Sequence, residues 1–135
     1  MTTLTVRSDV HEGWALLRVA GEIDLVSGGQ IRSEVHRLVA EGRRRIVLDL
    51  SGVSLCDSSG VGVLIGARRL LRSCSGELRL VLPPSGEEES THVHQVFAAL
   101  GIRRLFDIHA DLASATATES GAASATPERN RVLPS

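Results

Sequence analysis

From Val47 to Leu71 the chain reads VLDLSGVSLCDSSGVGVLIGARRLL, and this stretch constrains the fold more than any other. Ile46-Val47-Leu48-Asp49-Leu50 is a nearly continuous apolar run, the pattern of a central strand buried on both faces. A polar turn, Cys56-Asp57-Ser58-Ser59-Gly60, leads into a helix whose apolar residues Val61, Leu64, Ile65 and Leu71 mark its buried side. A doubly buried strand entering a helix at once calls for a parallel sheet with right-handed crossovers, an α/β architecture.

The flanking segments fit that frame. Val6–Val10 and Trp14–Ala20 read as strands of a hairpin turning at His11-Glu12-Gly13, which makes the sheet mixed. Trp14 is expected to cap the core. Ser27 is a candidate N-cap for a helix carrying Ile31, Val35, Leu38 and Val39 at helical spacing, with Gly42 beyond its end. Arg43-Arg44-Arg45 reads as a solvated loop. Leu78–Leu82 is a further strand ended by Pro83-Pro84. Ser85–His92, with Glu87-Glu88-Glu89, is expected to be a mobile loop, and Val93, Val96, Phe97 and Leu100 define a third helix stopped by Gly101. Leu105-Phe106 and Leu112 suggest a last strand and a closing helix. From Ser114 large apolar side chains become scarce, so the domain is bounded at 1–117 and a disordered tail is expected over 118–135.

At 135 residues and 42% hydrophobic content the chain has the size of one domain. A net charge of −1 with both signs dispersed gives no footprint for nucleic acid. The longest apolar run, near Val61–Ile65, falls far short of the roughly 20 residues that span a bilayer, and MTTLTVRSD is no signal segment, so a cytoplasmic protein without membrane contact is expected. Cys56 and Cys74 share no metal-ligand spacing and read as buried free thiols. His92 and His94 lack a third ligand nearby, so no metal and no other cofactor are called for.

The turn at Ser58 admits several chemistries. A serine or Asp57 at the N-cap would satisfy an orphan N–H and contribute ~1 kcal/mol. The glycines that follow need a separate reason, since each costs about 1 kcal/mol against alanine inside a helix. Gly62 and Gly66, one turn apart, form a smooth stripe that either admits the sheet backbone or presents a flat docking surface. A nucleophile elbow would need G-x-S-x-G and a base. A phosphate-binding P-loop would need a lysine, and this chain has none. A regulated phosphate on a hydroxyl at the helix N-terminus suits the dipole, leaves the fold intact and reverses the local charge.

Asp49-Leu50-Ser51-Gly52-Val53 followed by Cys56-Asp57-Ser58-Ser59-Gly60-Val61-Gly62-Val63-Leu64 resembles the signature of STAS-domain anti-sigma factor antagonists, the SpoIIAA-like family. Gly21-Glu22-Ile23-Asp24-Leu25 resembles its second, weaker motif. The resemblance implies a mixed sheet with helices packed mainly on one side. It implies a phosphoacceptor at Ser58 and a partner-binding surface lined by Asp24, Asp57, Ser58, Ser59, Gly60 and Gly62. The implied partner is an anti-sigma factor that is also a serine kinase of the GHKL ATPase fold. It binds the unmodified protein, releases its sigma factor and later phosphorylates Ser58, and a PP2C-type phosphatase reverses the modification.

Gly28-Gly29 departs from the family's residues before the first helix and is expected to loosen the surface beside Asp24. The reading is thus of a non-enzymatic, phosphorylation-switched antagonist, a monomer or weak dimer. Its rivals are an unphosphorylated STAS scaffold or accessory subunit of a signalling or lipid-transport assembly, and an NTP-binding enzyme.

Overall fold

The computed structural model describes residues 4–84 and 88–117; the Glu87 end of the acidic run and the tail over 118–135 lie outside the described residues. Five strands form one sheet in the order β1-β2-β3-β4-β5. β1 (Leu4–His11) and β2 (Trp14–Ile23) form the antiparallel hairpin. Its turn places Glu12 at φ 53° and Gly13 at φ 83°, the twist that matches a tight two-residue connection. β3 (Arg45–Cys56), β4 (Glu77–Val81) and β5 (Asp107–His109) continue in parallel. The crossovers run through α1 (Gly28–Ala40), α2 (Ser58–Ser73) and α3 (Glu88–Leu100), and α4 (Leu112–Thr116) closes the chain.

Alternation along β2 and the first half of β3 divides the interior into two cores. Leu17, Val19, Ile46, Leu48 and Leu50 face the larger one with Ile31, Val35, Val61, Leu64, Val93 and Phe97 from α1, α2 and α3. Trp14, Leu16, Val47 and Val81 face the other side, where Ala115 of α4 covers them. The helices therefore lie mainly on one side, while α4 covers the second face that the continuous apolar run in β3 must hide. Trp14 is fully buried in the smaller core and is flanked by the guanidinium groups of Arg45 and Arg79, 4.8 and 4.4 Å from its ring centroid. Arg79, itself buried, donates to the carbonyls of Ala115 and Ala117 at 2.9 and 3.2 Å, tying the end of α4 onto the sheet.

Several elements differ from the sequence-based expectation. The first two strands run longer, because ladder pairing carries β1 and β2 past their apolar stretches, from Leu4↔Gly21 to His11↔Trp14. α3 begins at Glu88, inside the segment expected to be a loop as far as His92. Leu105 sits in a 3-10 turn over Arg103–Leu105, Phe106 stacks on Phe97 at 5.7 Å, and the last strand starts only at Asp107. His94 is held locally: Arg103 can only donate to its Nδ1, at 2.7 Å, so Nε2–H donates to the Pro83 carbonyl at 2.7 Å. Among the described residues no helix is long and apolar enough to cross a membrane, and no group of three or more His, Cys, Asp or Glu is placed to hold a metal ion.

Candidate functional site

Two irregularities in the β2–β3 ladder shape the edge where the site lies. The register shifts between Arg18 and Ala20 and again between Gly21 and Glu22, each time with one extra residue on β3. Such bulges bend and twist a strand. Asp49 organises the first: its Oδ1 accepts from the Ser51 N–H at 3.0 Å and the Ser51 hydroxyl at 2.6 Å. The Asp-Leu-Ser-Gly motif thus sets the path of β3 toward the polar turn. Because Ile23 pairs with Cys56, the β2–α1 and β3–α2 connections emerge side by side.

Asp57 is the N-cap of α2, with extended backbone, and its Oδ1 accepts from the Gly60 N–H at 2.9 Å. The serines follow the cap as the first and second helical residues. Of the two capping arrangements open to the sequence, the carboxylate one is adopted, and neither serine hydroxyl is needed for it. Ser58 is exposed and Ser59 half-buried, and among the described residues neither hydroxyl makes a hydrogen bond, to a histidine, carboxylate or any other group. The first-turn N–H groups of Ser58 and Ser59 precede any intrahelical acceptor. A phosphate on Ser58 would meet the positive end of the dipole without displacing an existing bond.

Asp24 is chiefly a loop-builder. Its Oδ1 accepts from the Val26 and Ser27 N–H groups at 3.0 and 2.8 Å. Ser27 reciprocates: its Oγ accepts from the Asp24 N–H at 3.0 Å and reaches the Glu22 carbonyl at 2.7 Å. Ser27 precedes α1 as expected but gives its hydroxyl to this loop rather than to a helix N–H. This hydrogen-bonded loop carries Leu25 and Val26, which are 74% and 84% exposed, and Leu55 at the end of β3 is 40% exposed. These apolar side chains are the part of the site that motif reading missed. The available signal was an apolar pair after Gly-Glu-Ile-Asp, outside the buried spacing of either neighbouring element.

The glycines divide by role. Gly60 lies beneath the surface and not on it: a Cβ there would stand 2.6 Å from the Ile23 carbonyl oxygen and 3.1 Å from the Cys56 sulfur. Gly62 and Gly66 are exposed, and a Cβ added at either would meet nothing beyond their own helix within 4 Å, so the stripe faces outward and does not admit the sheet. It lines a small groove with Arg32, Val35 and His36 of α1. Gly28 tightens the site instead of loosening it, since a Cβ would come within 2.6 Å of Val63 Cγ2; the bare Cα lets α1 press on α2. That contact helps to bury Val63, and Ala67 one turn further on is buried too, whereas Ile65, expected in the core, is only half-buried.

Cys56 lies under the cap. Burial, reinforced by the Asp57 charge, pushes its thiol from 9.0 up to about 12. The folded chain therefore disfavours the thiolate relative to the unfolded chain. That share of stability is complete below pH 9.0 and is lost progressively toward about 12. Half-buried Cys74 donates to carbonyls at the end of α2. A thiol reagent applied to the native protein at neutral pH is expected to label Cys74 and spare Cys56, with both reacting after denaturation. Equal native rates, read by peptide mass spectrometry, would contradict the buried placement.

Comparison with known proteins agrees with this geometry. The anti-sigma-B factor antagonist of Bacillus subtilis is 30% identical over 94 residues, covering 70% of this chain and 80% of its own. A solved anti-sigma factor antagonist from Mycobacterium paratuberculosis superposes with a TM-score of 0.70 at 23% identity, covering 84% of this chain and 91% of its own. The Bacillus cell fate determinant SpoIIAA, solved in its phosphorylated form, gives 0.56 at 25% identity, covering 78% of this chain and 91% of its own. The STAS domain model matches residues 5–115, so this chain, with its bulged β3, capped α2 and hairpin-led mixed sheet, belongs to the STAS domain family.

Proposed function

We propose that this chain is an anti-sigma factor antagonist that docks on its anti-sigma factor through the Ser58 edge and is switched off by phosphorylation of Ser58. The observation that carries this reading is an exposed hydroxyl without intramolecular bonds, on the first residue of a helix capped by another side chain, beside exposed Leu25, Val26 and Leu55. Apolar groups of this kind supply the burial that docking needs. The hydroxyl places a modification where it touches the partner and not the fold. A phosphate adds about −1.5 to −2 charges. Next to Asp57 it opposes the desolvation that docking requires, so release needs no large conformational change. The similarity to named antagonists, and to a relative solved in a phosphorylated form, supports the same reading.

The partner is an anti-sigma factor acting also as a serine kinase of the GHKL ATPase fold, and a PP2C-type phosphatase restores the unmodified state. Incubation of the full chain with its anti-sigma factor and ATP, followed by peptide mass spectrometry, is expected to show a single phosphate on Ser58. A Ser58→Ala chain phosphorylated to the same extent would overturn the assignment.

A further inference from the structure

At the other end of α2 an open cleft of about 630 Å³ lies between the helix C-terminus and the 3-10 turn before β5. Its volume falls in the range of small-molecule sites. Arg68 and Arg72 enter it from α2 and Arg104 from the turn, while Leu78, Leu105 and Phe106 supply its apolar wall. From Ser58 to Arg72 the helix rises roughly 20 Å at 1.5 Å per residue, so the cleft is separate from the docking edge.

Three arginines and two carboxylates line this cleft. Glu77 and Asp107 border it, but both are drawn to buried Arg79, at 3.0 and 3.3 Å, and Asp107 also meets His109 Nε2 at 2.9 Å. Arg37 likewise holds Glu34 and Glu41. Arg68, Arg72 and Arg104 have no carboxylate within ion-pair distance among the described residues. Arg68 and Arg72 are four residues apart on one helix face, where like charges repel. An anion among them relieves that repulsion. Guanidinium forks match phosphate oxygens in pairs, and a third fork from across the cleft favours a dianion with several oxygens over a single carboxylate. The apolar wall has no use for a bare ion.

We infer that this cleft binds a small phosphate monoester carrying an apolar or aromatic group, with Arg68, Arg72 and Arg104 on the phosphate and Leu78, Leu105 and Phe106 against the organic part. The site stands independently of the Ser58 reading. The test is a titration of the full ¹⁵N-labelled chain with phenyl phosphate, inorganic phosphate and benzyl alcohol, followed by amide shifts. Phenyl phosphate is expected to give saturable shifts centred on Ser75, Gly76, Leu105 and Asp107, with about tenfold weaker binding of inorganic phosphate and no saturation by benzyl alcohol.

Arg68→Gln combined with Arg104→Gln is expected to weaken phenyl phosphate about tenfold or more while leaving Ser58 phosphorylation unchanged. Should that pair perturb folding, exposed Arg72→Gln alone serves, with a smaller loss in the same direction. Absence of saturable shifts, equal binding of inorganic phosphate, undiminished binding by the folded variants, or shifts spread equally over Arg43–Arg45 would each overturn the inference.

Discussion

Ser58→Glu is expected to bind the anti-sigma factor about tenfold or more weakly than the unmodified chain, and Ser58→Ala to bind as tightly as wild type. Because the Ser58 hydroxyl holds nothing in the fold and Asp57 supplies the cap, removing it leaves α2 intact. A glutamate in the first helical turn suits the dipole, so Ser58→Glu should unfold at a temperature equal to or slightly above that of wild type. A loss of affinity with unchanged stability therefore reports on the interface alone. The carboxylate must be desolvated beside Leu25, Val26 and Leu55 and faces the charge of Asp57. Isothermal titration of the three chains against the partner decides the matter, and equal affinities for Ser58→Ala and Ser58→Glu would refute a charge-operated switch.

Gly60→Ala is expected to be the most damaging small substitution in the site. The added carbon would stand 2.6 Å from the Ile23 carbonyl oxygen and 2.8 Å from Ile23 Cγ2, and the first of these is backbone that pairs β2 with β3. Relief requires α2 to withdraw from the sheet, which weakens the cap from Asp57 and opens the packing over Cys56. Overpacking of this kind costs about 3 kcal/mol. In a domain of this size that lowers the melting temperature by roughly 10 °C. Gly62→Ala is the matched control. It is exposed with nothing within 4 Å, so alanine there should stabilise the helix by up to about 1 kcal/mol. Thermal unfolding of the two variants should give shifts of opposite sign. A similar loss in both would mean that Gly60 is not the point of close approach. Weaker partner binding by Gly62→Ala, in a chain that is more stable, would mark the outward glycine stripe as part of the docking surface.

The run Ile46–Leu50 declared a doubly buried strand because no other placement hides so many adjacent apolar side chains, and both of its faces are covered. The helical spacing of Ile31, Val35 and Leu38 identified the core face of α1 for the same reason. Periodicity reports burial averaged along an element, and so it is weak where an element ends. That is why α3 starts earlier, the hairpin runs longer and β5 begins later than the apolar spacing indicates. It is also why Val63 and Ala67 fall outside the face that spacing marks as buried: Val63 is covered by the close passage of Gly28 on another helix, and Ala67 lies in the same groove with Arg32, Val35 and His36.

By itself the sequence determined the α/β class, the central strand, the polar turn at Ser58 and the resemblance on which the proposal of a phosphoacceptor at Ser58 rests. Only the tertiary structure decided which side chain caps α2, which glycine meets the sheet, and which apolar groups stay exposed on the neighbouring β2–α1 connection and at the end of β3. Those choices depend on contacts between segments far apart in the chain: Ile23 against Gly60, Gly28 against Val63, and a loop fastened by Asp24 and Ser27. Local patterns carry propensity and burial; the distance between two chain segments emerges only when the sheet register brings them together.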